Sequence, residues 1–299
     1  MTNDTAHLNR RLRTLLKPGA GLIMPGAGNA LTARIIERSG FELMLLSGAA
    51  VANTYLGAPD VGLVSLSELA DHTAAIRSAT SLPIVVDADT GFGNAVNVVR
   101  TVQVLERAGA NAIMIEDQTS PKRCGHFDGK DVISCAEMVQ KIRAAVDARV
   151  DPAMMILART DARAVEGLES AFERARAYQE AGADFLFIEA PRSIDELAAI
   201  PREVPGIHVC NMVIGGKTPV LPREQLADMG YAVIAYANAA LQASMLAMQN
   251  VLGHLHAHGS IAGAENQMVM FDERQAILGH DRFKQMEMRY VPVDSNERS

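Results

Sequence analysis

Cysteine is scarce in this chain: its 299 residues include three, Cys124, Cys135 and Cys210. A sparse, odd-numbered set in a chain this long offers no disulfide framework and suits a reducing compartment. Long apolar runs are also missing. No window approaches the roughly 20 apolar residues of a membrane span. The stretch Met1 to Arg13 is polar and charged, without the apolar centre of a secretion signal. Positive charge is in deficit, with 28 Lys plus Arg against 35 Asp plus Glu and a net charge of −7. That leaves no basic face for nucleic acid, although small anions need only local cations or backbone N–H groups. Linkers and low-complexity segments are absent. The expectation is a soluble cytoplasmic protein with neither a nucleic acid nor a membrane as partner.

What is present is a strict alternation. Apolar residues make up 48% of the chain, gathered into short runs that read as strands at Gly21–Pro25, Phe41–Ser47, Pro83–Asp89, Ala112–Asp117, Met154–Thr160, Phe185–Ala190, His208–Met212 and Tyr231–Tyr236. Amphipathic segments separate them at Ala30–Ser39, Ser67–Thr80, Ala95–Ala108, Cys135–Ala148, Gly167–Ala181, Ser193–Ile200 and Pro222–Asp228, and a longer one covers Ala239–His256. Ala108-Gly109-Ala110 and Ala181-Gly182-Ala183 each supply the glycine that commonly stops a helix. Continuous apolar strands are buried on both faces, as a parallel sheet requires. Eight βα units close most simply into a (β/α)₈ barrel of the TIM type. A doubly wound open sheet is the competing α/β fold. It would want a glycine-rich phosphate turn after the first strand, and Pro25-Gly26-Ala27-Gly28 matches that turn poorly. The expected organisation is one barrel domain over residues 1–299, with 257–299 as a C-terminal helical extension and tail. That extension reads either as a cap on the barrel or as a subunit-contact element.

In such barrels the chemistry sits at the C-terminal ends of the strands. The strand ends here are polar: Ser47-Gly48, Asp87-Ala88-Asp89, Glu116-Asp117, Arg159-Thr160-Asp161, Glu189 and Asn211. Asp87 and Asp89 stand two apart, which on a strand puts both side chains on one face. Two carboxylates there, with Glu116 on the next strand, call for a cation, because like charges at short range raise one another's pKa. An oxygen-only donor set favours Mg²⁺ or Mn²⁺ over Zn²⁺.

The loop Pro121–Lys130 (Pro-Lys-Arg-Cys-Gly-His-Phe-Asp-Gly-Lys) follows the fourth strand. Cys124 lies there between Arg123 and His126, and neighbouring cations lower a thiol's pKa. Such a thiol can act as a general acid or a nucleophile; a free thiol in a surface loop can also be incidental. Cys135 and Cys210 read as packing residues.

With these residues in view, the chain resembles the isocitrate lyase / phosphoenolpyruvate mutase superfamily over roughly residues 10–260. The resemblance rests on Ser47-Gly48, Leu56-Gly57-Ala58-Pro59-Asp60, Val86-Asp87-Ala88-Asp89-Thr90-Gly91-Phe92-Gly93, Ile115-Glu116-Asp117-Gln118, Lys122-Arg123-Cys124-Gly125-His126, Ala158-Arg159-Thr160-Asp161 and Glu189-Ala190. The Lys-Arg-Cys-Gly-His loop points to the lyase branch. The resemblance implies a Mg²⁺-dependent carbon–carbon lyase. The metal would lie at Asp87 and Asp89, with Asp60 and Glu116 in support. A 2-hydroxy or 2-oxo dicarboxylate would be the small-molecule partner, held by Ser47, Gly48, Gly125, Arg159, Glu189 and Asn211. Cys124 would be the acid, with Lys122, His126 and Arg159 assisting. It also implies a homotetramer with helices exchanged between subunits.

Departures from the family pattern narrow the substrate. Leu45 replaces a tyrosine of the 2-methylisocitrate lyases, and Ala49 replaces a glycine. Gln242 and Phe271 align where those enzymes carry arginines for a third carboxylate, and an unpaired buried carboxylate would cost roughly several kcal/mol. Asn211-Met212-Val213 with Gly215-Gly216-Lys217-Thr218-Pro219 is similar to the 2,3-dimethylmalate lyase and petal-death-protein branch, from which Tyr236-Ala237 departs. The expectation is cleavage of a substituted malate, such as 2,3-dimethylmalate, to pyruvate and a monocarboxylate. The alternatives are a 2-methylisocitrate lyase giving pyruvate and succinate, an oxaloacetate hydrolase or decarboxylase, and a non-catalytic dicarboxylate-binding barrel.

Overall fold

The computed structural model describes residues 5–125 and 129–291. Eight strands occur in the expected places: β1 Leu22–Ala27, β2 Met44–Leu46, β3 Ile84–Asp87, β4 Ala112–Glu116, β5 Met155–Thr160, β6 Phe185–Ile188, β7 His208–Asn211 and β8 Val233–Tyr236. Each pairs in parallel with the next, and β1 pairs with β8, so the sheet closes into a barrel. Closure rules out the open sheet. The β2 ladder is shorter than the apolar run Phe41–Ser47, because pairing with β3 starts at Met44↔Ile84 and ends at Leu46↔Val86.

Local signals set the helix ends. Ser65 and Glu68 form a capping box at the start of Leu66–Ala79, and Asn94 with Asn97 does the same for Ala95–Ala108. Gly109 ends the latter helix at φ 105°. A Cβ there would lie 2.4 Å from Arg77 Cγ, so the position needs glycine on both counts.

The core has two layers. Met24, Leu45, Val85, Met114, Leu157, Phe187, Val209 and Ala235 fill the barrel interior. A second layer lies between strands and helices and includes Ile36, Ile76, Val98, Ile142, Phe172 and Tyr178. Each large apolar side chain buried this way contributes about 1.5–3 kcal/mol.

The N-terminal segment, polar in the sequence, forms a helix at Thr5–Leu15 that the sequence reading did not anticipate. Its Leu8 and Leu12 are buried, and Leu12 and Leu16 join the interior cluster. Asn9 donates to Asp151 at 2.8 Å, and Arg13 pairs with Asp184 at 2.9 Å. Three or four apolar residues in a polar stretch are a thin signal, but they fall on one helical face.

The chain divides into two compact units, residues 1–242 and 243–299. The second holds most of the helix Ala239–His258, and the helices Phe271–Leu278 and His280–Tyr290. Many of its large apolar residues are exposed, among them Leu246, Leu252, Met270, Phe271, Phe283 and Met288. No helix among the described residues is long and apolar enough to cross a membrane.

His208 opens β7 and is fully buried; one ring nitrogen meets Val204 O and Nδ1 has no hydrogen-bond partner. Burial holds its pKa below the ordinary 6.5. The unfolded chain therefore takes up this proton first as pH falls through about 6.5, and the stability contributed by neutral His208 is lost from there down to the folded pKa. Denaturant unfolding at pH 7.0 and 5.5 should show a larger loss of stability for the wild type than for His208→Gln. Equal losses would exclude this coupling.

Candidate active site

The mouth of the barrel collects side chains from six strand ends. The cleft there is lined by Ser47 after β2, Asp60, Asp87 at the end of β3, Cys124 and Gly125 from the loop after β4, Arg159 on β5, Glu189 after β6 and Asn211 on β7. Its floor is the top of the apolar interior: Met24, Leu45, Met114, Leu157 and Phe187.

The two metal-candidate aspartates come together by a route other than strand alternation. β3 ends at Asp87, and Asp89 sits in the left-handed region at φ 49°, so the strand rule does not apply to it. The turn instead carries Asp89 back beside Asp87, whose Oδ1 accepts from Asp89 N at 3.2 Å. Both carboxylates face Gly48: a Cβ there would lie 3.1 Å from Asp89 Oδ1 and 3.3 Å from Asp87 Oδ2. The Gly48 N–H donates to Asp87 Oδ2 at 3.3 Å. Ser47 caps the short helix Gly48–Val51 by accepting from Ala50 N. A π-turn over Ala52–Leu56 leads on to Asp60, an irregularity often found at functional sites.

Lys122 reaches into this acid group. Its Nζ lies 2.6 Å from Asp60 Oδ1 and 2.8 Å from Asp89 Oδ1, with the residue 5% exposed. Burial works against its charge, yet Asp89, Asp87, Glu116 and Asp60 together hold its pKa well above the usual lysine value.

Arg159 anchors the other half. It makes a two-pronged contact with Asp161 (2.9 and 3.2 Å), lies 3.2 Å from Glu116 Oε2 and 3.4 Å from Glu189 Oε2, and stacks over Phe187 at 5.4 Å. Lys130 Nζ completes the group, 2.6 Å from Asp161 and bonded to Gly125 O. Gly125 is required here: a Cβ would lie 2.6 Å from both Arg159 Nη2 and Glu189 Cδ.

Behind them Asp117 is fully buried. It accepts from Thr160 Oγ1 (2.7 Å), Asp161 N (2.9 Å), Tyr178 OH (2.7 Å) and Arg174 Nη1 (3.3 Å). This frame fixes the ends of β4 and β5 against each other.

Charge is out of balance at this mouth. Among the described residues, the carboxylates of Asp60, Asp87, Asp89, Glu116, Asp161 and Glu189 are matched by three cations, Lys122, Lys130 and Arg159. The carboxyls respond. Burial, reinforced by Asp87 and Asp60 against the pull of Lys122, pushes Asp89 up to about 7. Burial also pushes Glu116 well up, with Arg159 opposing, and its Oε1 accepts no hydrogen bond. A divalent cation would relieve both. No three Asp, Glu, His or Cys side chains among the described residues are arranged to ligate an ion directly. The donor set is oxygen-only, the chemistry that suits a hard ion such as Mg²⁺.

Of the candidate site residues, Ser47, Gly48, Asp60, Asp87, Asp89, Glu116, Lys122, Cys124, Gly125, Arg159, Glu189 and Asn211 gather at this mouth; His126 lies outside the described residues. Gln242 is not among the cleft-lining residues, and Phe271 is an exposed residue of the second unit. Cys210 is buried in β7 and Cys135 opens the helix Cys135–Ala148. Ala237, named in the sequence only as a departure from the branch pattern, lines the cleft, as does Asn238, which was missed. They follow β8, so the strand-end rule applied to that last strand finds them.

Arg159 is 8% exposed and neighbours three carboxylates. Arg159→Leu leaves those charges short of their partner, a change of the kind that costs about 3–5 kcal/mol. Denaturant unfolding should show a loss of that size; a loss under about 1 kcal/mol would mean the arginine is not balancing buried charge.

This sequence and this fold have counterparts. The phosphoenolpyruvate phosphomutase family matches residues 12–256. A 2,3-dimethylmalate lyase of Eubacterium barkeri is 42% identical over 281 residues, 94% of this chain and 97% of that protein. A 2-methylisocitrate lyase of Aeropyrum pernix is 44% identical over 273 residues, covering 91% and 88%. Among solved structures, a 2,3-dimethylmalate lyase superposes with a TM-score of 0.89 at 29% identity, covering 99% of this chain and 98% of that one. A phosphonopyruvate hydrolase in complex with oxalate and Mg²⁺ superposes at 0.85 with 32% identity, covering 98% and 100%. Sequence and fold agree over nearly the whole length, and the chain belongs to the PEP mutase/isocitrate lyase superfamily.

Proposed function

We propose that this protein is a Mg²⁺-dependent carbon–carbon lyase that cleaves a substituted malate, such as 2,3-dimethylmalate, to pyruvate and a monocarboxylate. The observation that carries the reading is the position of Cys124: a thiol lines the same cleft as Ser47, Asp87, Arg159 and Asn211. A proton donor facing a carboxylate-rich cation site suits a reaction that generates a carbanion and must quench it.

Asp87, Asp89, Asp60 and Glu116 are the residues that would hold Mg²⁺. When bound, it supplies Lewis-acid charge at the substrate's carboxylate and hydroxyl oxygens. The chain's own groups do the rest. Ser47, the Gly48 backbone and Asn211 orient the 2-hydroxy acid. Arg159, held by Asp161 and Glu189, keeps positive charge beside the oxygen that becomes the 2-oxo group. The hydroxyl proton leaves to a basic group of the mouth, and the O–H electron pair forms the carbonyl. The C2–C3 bond breaks and its electrons pass into the departing carboxylate fragment. Cys124 Sγ gives that fragment a proton at C3. Gly125, closing over Arg159 and Glu189, helps exclude water.

The second reading is a 2-methylisocitrate lyase, which the 44% identical relative favours. Against it, Arg159 is the one cationic side chain among the cleft-lining described residues. Among the described residues, a third carboxylate would find no second cation lining the cleft.

A panel assay separates the two. With Mg²⁺, 2,3-dimethylmalate should release pyruvate at least about 100-fold faster, in kcat/KM, than 2-methylisocitrate does, a difference of about 2.7 kcal/mol. Turnover of 2-methylisocitrate alone would sink the preferred substrate. Cys124→Ser should lower pyruvate release by more than about 100-fold while leaving pyruvate binding intact; full activity would remove the thiol from the mechanism.

The quaternary state follows the same reading. The exposed apolar residues of the second unit suit burial against other copies of the chain, and a homotetramer with exchanged helices is proposed. Light scattering should give the mass of four chains; a monomer at micromolar concentration would contradict it.

A further inference from the structure

The thiol's usefulness depends on where its loop is held, and the hold is visible residue by residue. Lys122 is tied by its ammonium to Asp60 and Asp89. The Cys124 N–H donates to Asp60 O at 3.2 Å. Gly125 O is held by Lys130. Arg123, between the first two, is gripped by an uncharged side chain. The Gln118 Oε1 accepts from Arg123 N at 2.9 Å, and Gln118 Nε2 donates to Arg123 O at 2.8 Å. One primary amide thus satisfies both peptide groups of the residue next to the thiol, as a neighbouring strand would.

The amide stands on a fixed base. Gln118 is 1% exposed and lies two residues beyond the end of β4, next to Asp117 with its four donors. The two arms of the loop are joined below it: Gln118 bridges to Val132, and Thr119 N donates to Asp131 O at 2.9 Å. The other anchors are drawn from the charged cluster, so changing Lys122, Asp60 or Lys130 also changes the charge balance. Gln118 carries no charge. Replacing it loosens the thiol segment and leaves the acid and cation set intact.

We infer that Gln118 is a positioning residue that sets the reach of Cys124 Sγ into the cleft. This rests on the reading of Cys124 as the proton donor. Misplacement of a reacting group by about 1 Å can lower a rate by about 100-fold.

The test compares wild type, Gln118→Met, which has similar length and lacks both bonds, and Gln118→Glu, which keeps the acceptor for Arg123 N–H and loses the donor. With Mg²⁺ and 2,3-dimethylmalate, Q118M should lower kcat about 100-fold with KM within about twofold, and Q118E should fall between. In D₂O the wild type should place deuterium on one face of the released propionate, and Q118M should scramble it. Independently of turnover, iodoacetamide should alkylate Cys124 at least about tenfold faster in Q118M, measured against Cys135 in the same chain. Unchanged kcat and an unchanged alkylation ratio would overturn the inference. So would a fall in kcat accompanied by lost oxalate affinity and a lowered melting temperature, which marks general damage. If the wild type cleaves no malate at all, the lyase reading fails, and the alkylation ratio alone decides the clamp.

Discussion

The structure turns on a shortage of positive charge. Among the described residues, six carboxylates converge on the mouth of an apolar barrel, and Lys122, Lys130 and Arg159 are the cations that meet them. Buried like charges of that number do not coexist in ionised form without compensation. Burial first, and the neighbouring acids after it, push the Asp89 and Glu116 carboxyls up. A dicarboxylate substrate would add further negative charge. In the proposed function a divalent cation would offset this charge, and the site would favour ligands that bring or chelate one. Fold, loop and chemistry all answer to this constraint. The barrel supplies the convergence, Lys122 draws the loop down onto the acids, and the thiol arrives with it.

A hierarchy of rigidity follows. Asp117, with its four donors from Thr160, Asp161, Arg174 and Tyr178, locks β4 to β5 and fixes Arg159 through Asp161. On that frame the loop 118–125 is attached by a few discrete contacts: the amide of Gln118, the carbonyl of Asp60 and the ammonium groups of Lys122 and Lys130. Charge stabilisation must be preorganised, so it resides on strands. The proposed proton donor, Cys124, resides instead on the loop after β4.

Much of this was legible in the sequence because barrels convert chain order into geometry. Six of the eight apolar runs, those ending in Ser47, Asp87, Glu116, Arg159, Glu189 and Asn211, became one mouth, as the strand-end rule requires. The rule faltered where the backbone departs from a strand. Asp89 shares the site with Asp87 through a left-handed turn, which alternation does not describe. The helix Thr5–Leu15 was hidden because few of its residues are apolar, although these share one face. Tertiary partners were the least legible. Nothing in the spacing says that Gln118 will grip Arg123 or that Lys130 will reach Asp161. Such pairings depend on loop paths that no periodicity encodes.

The central claim is that the acid cluster and the cleft act as one cation-dependent binding site for a chelating oxo acid. Isothermal titration of oxalate measures this directly. In millimolar Mg²⁺, oxalate should bind with one site per chain, and binding should weaken by at least about 100-fold, about 2.7 kcal/mol, when the metal is removed with EDTA. Asp87→Ala should abolish the difference. Oxalate binding of equal strength with and without Mg²⁺ would contradict the account.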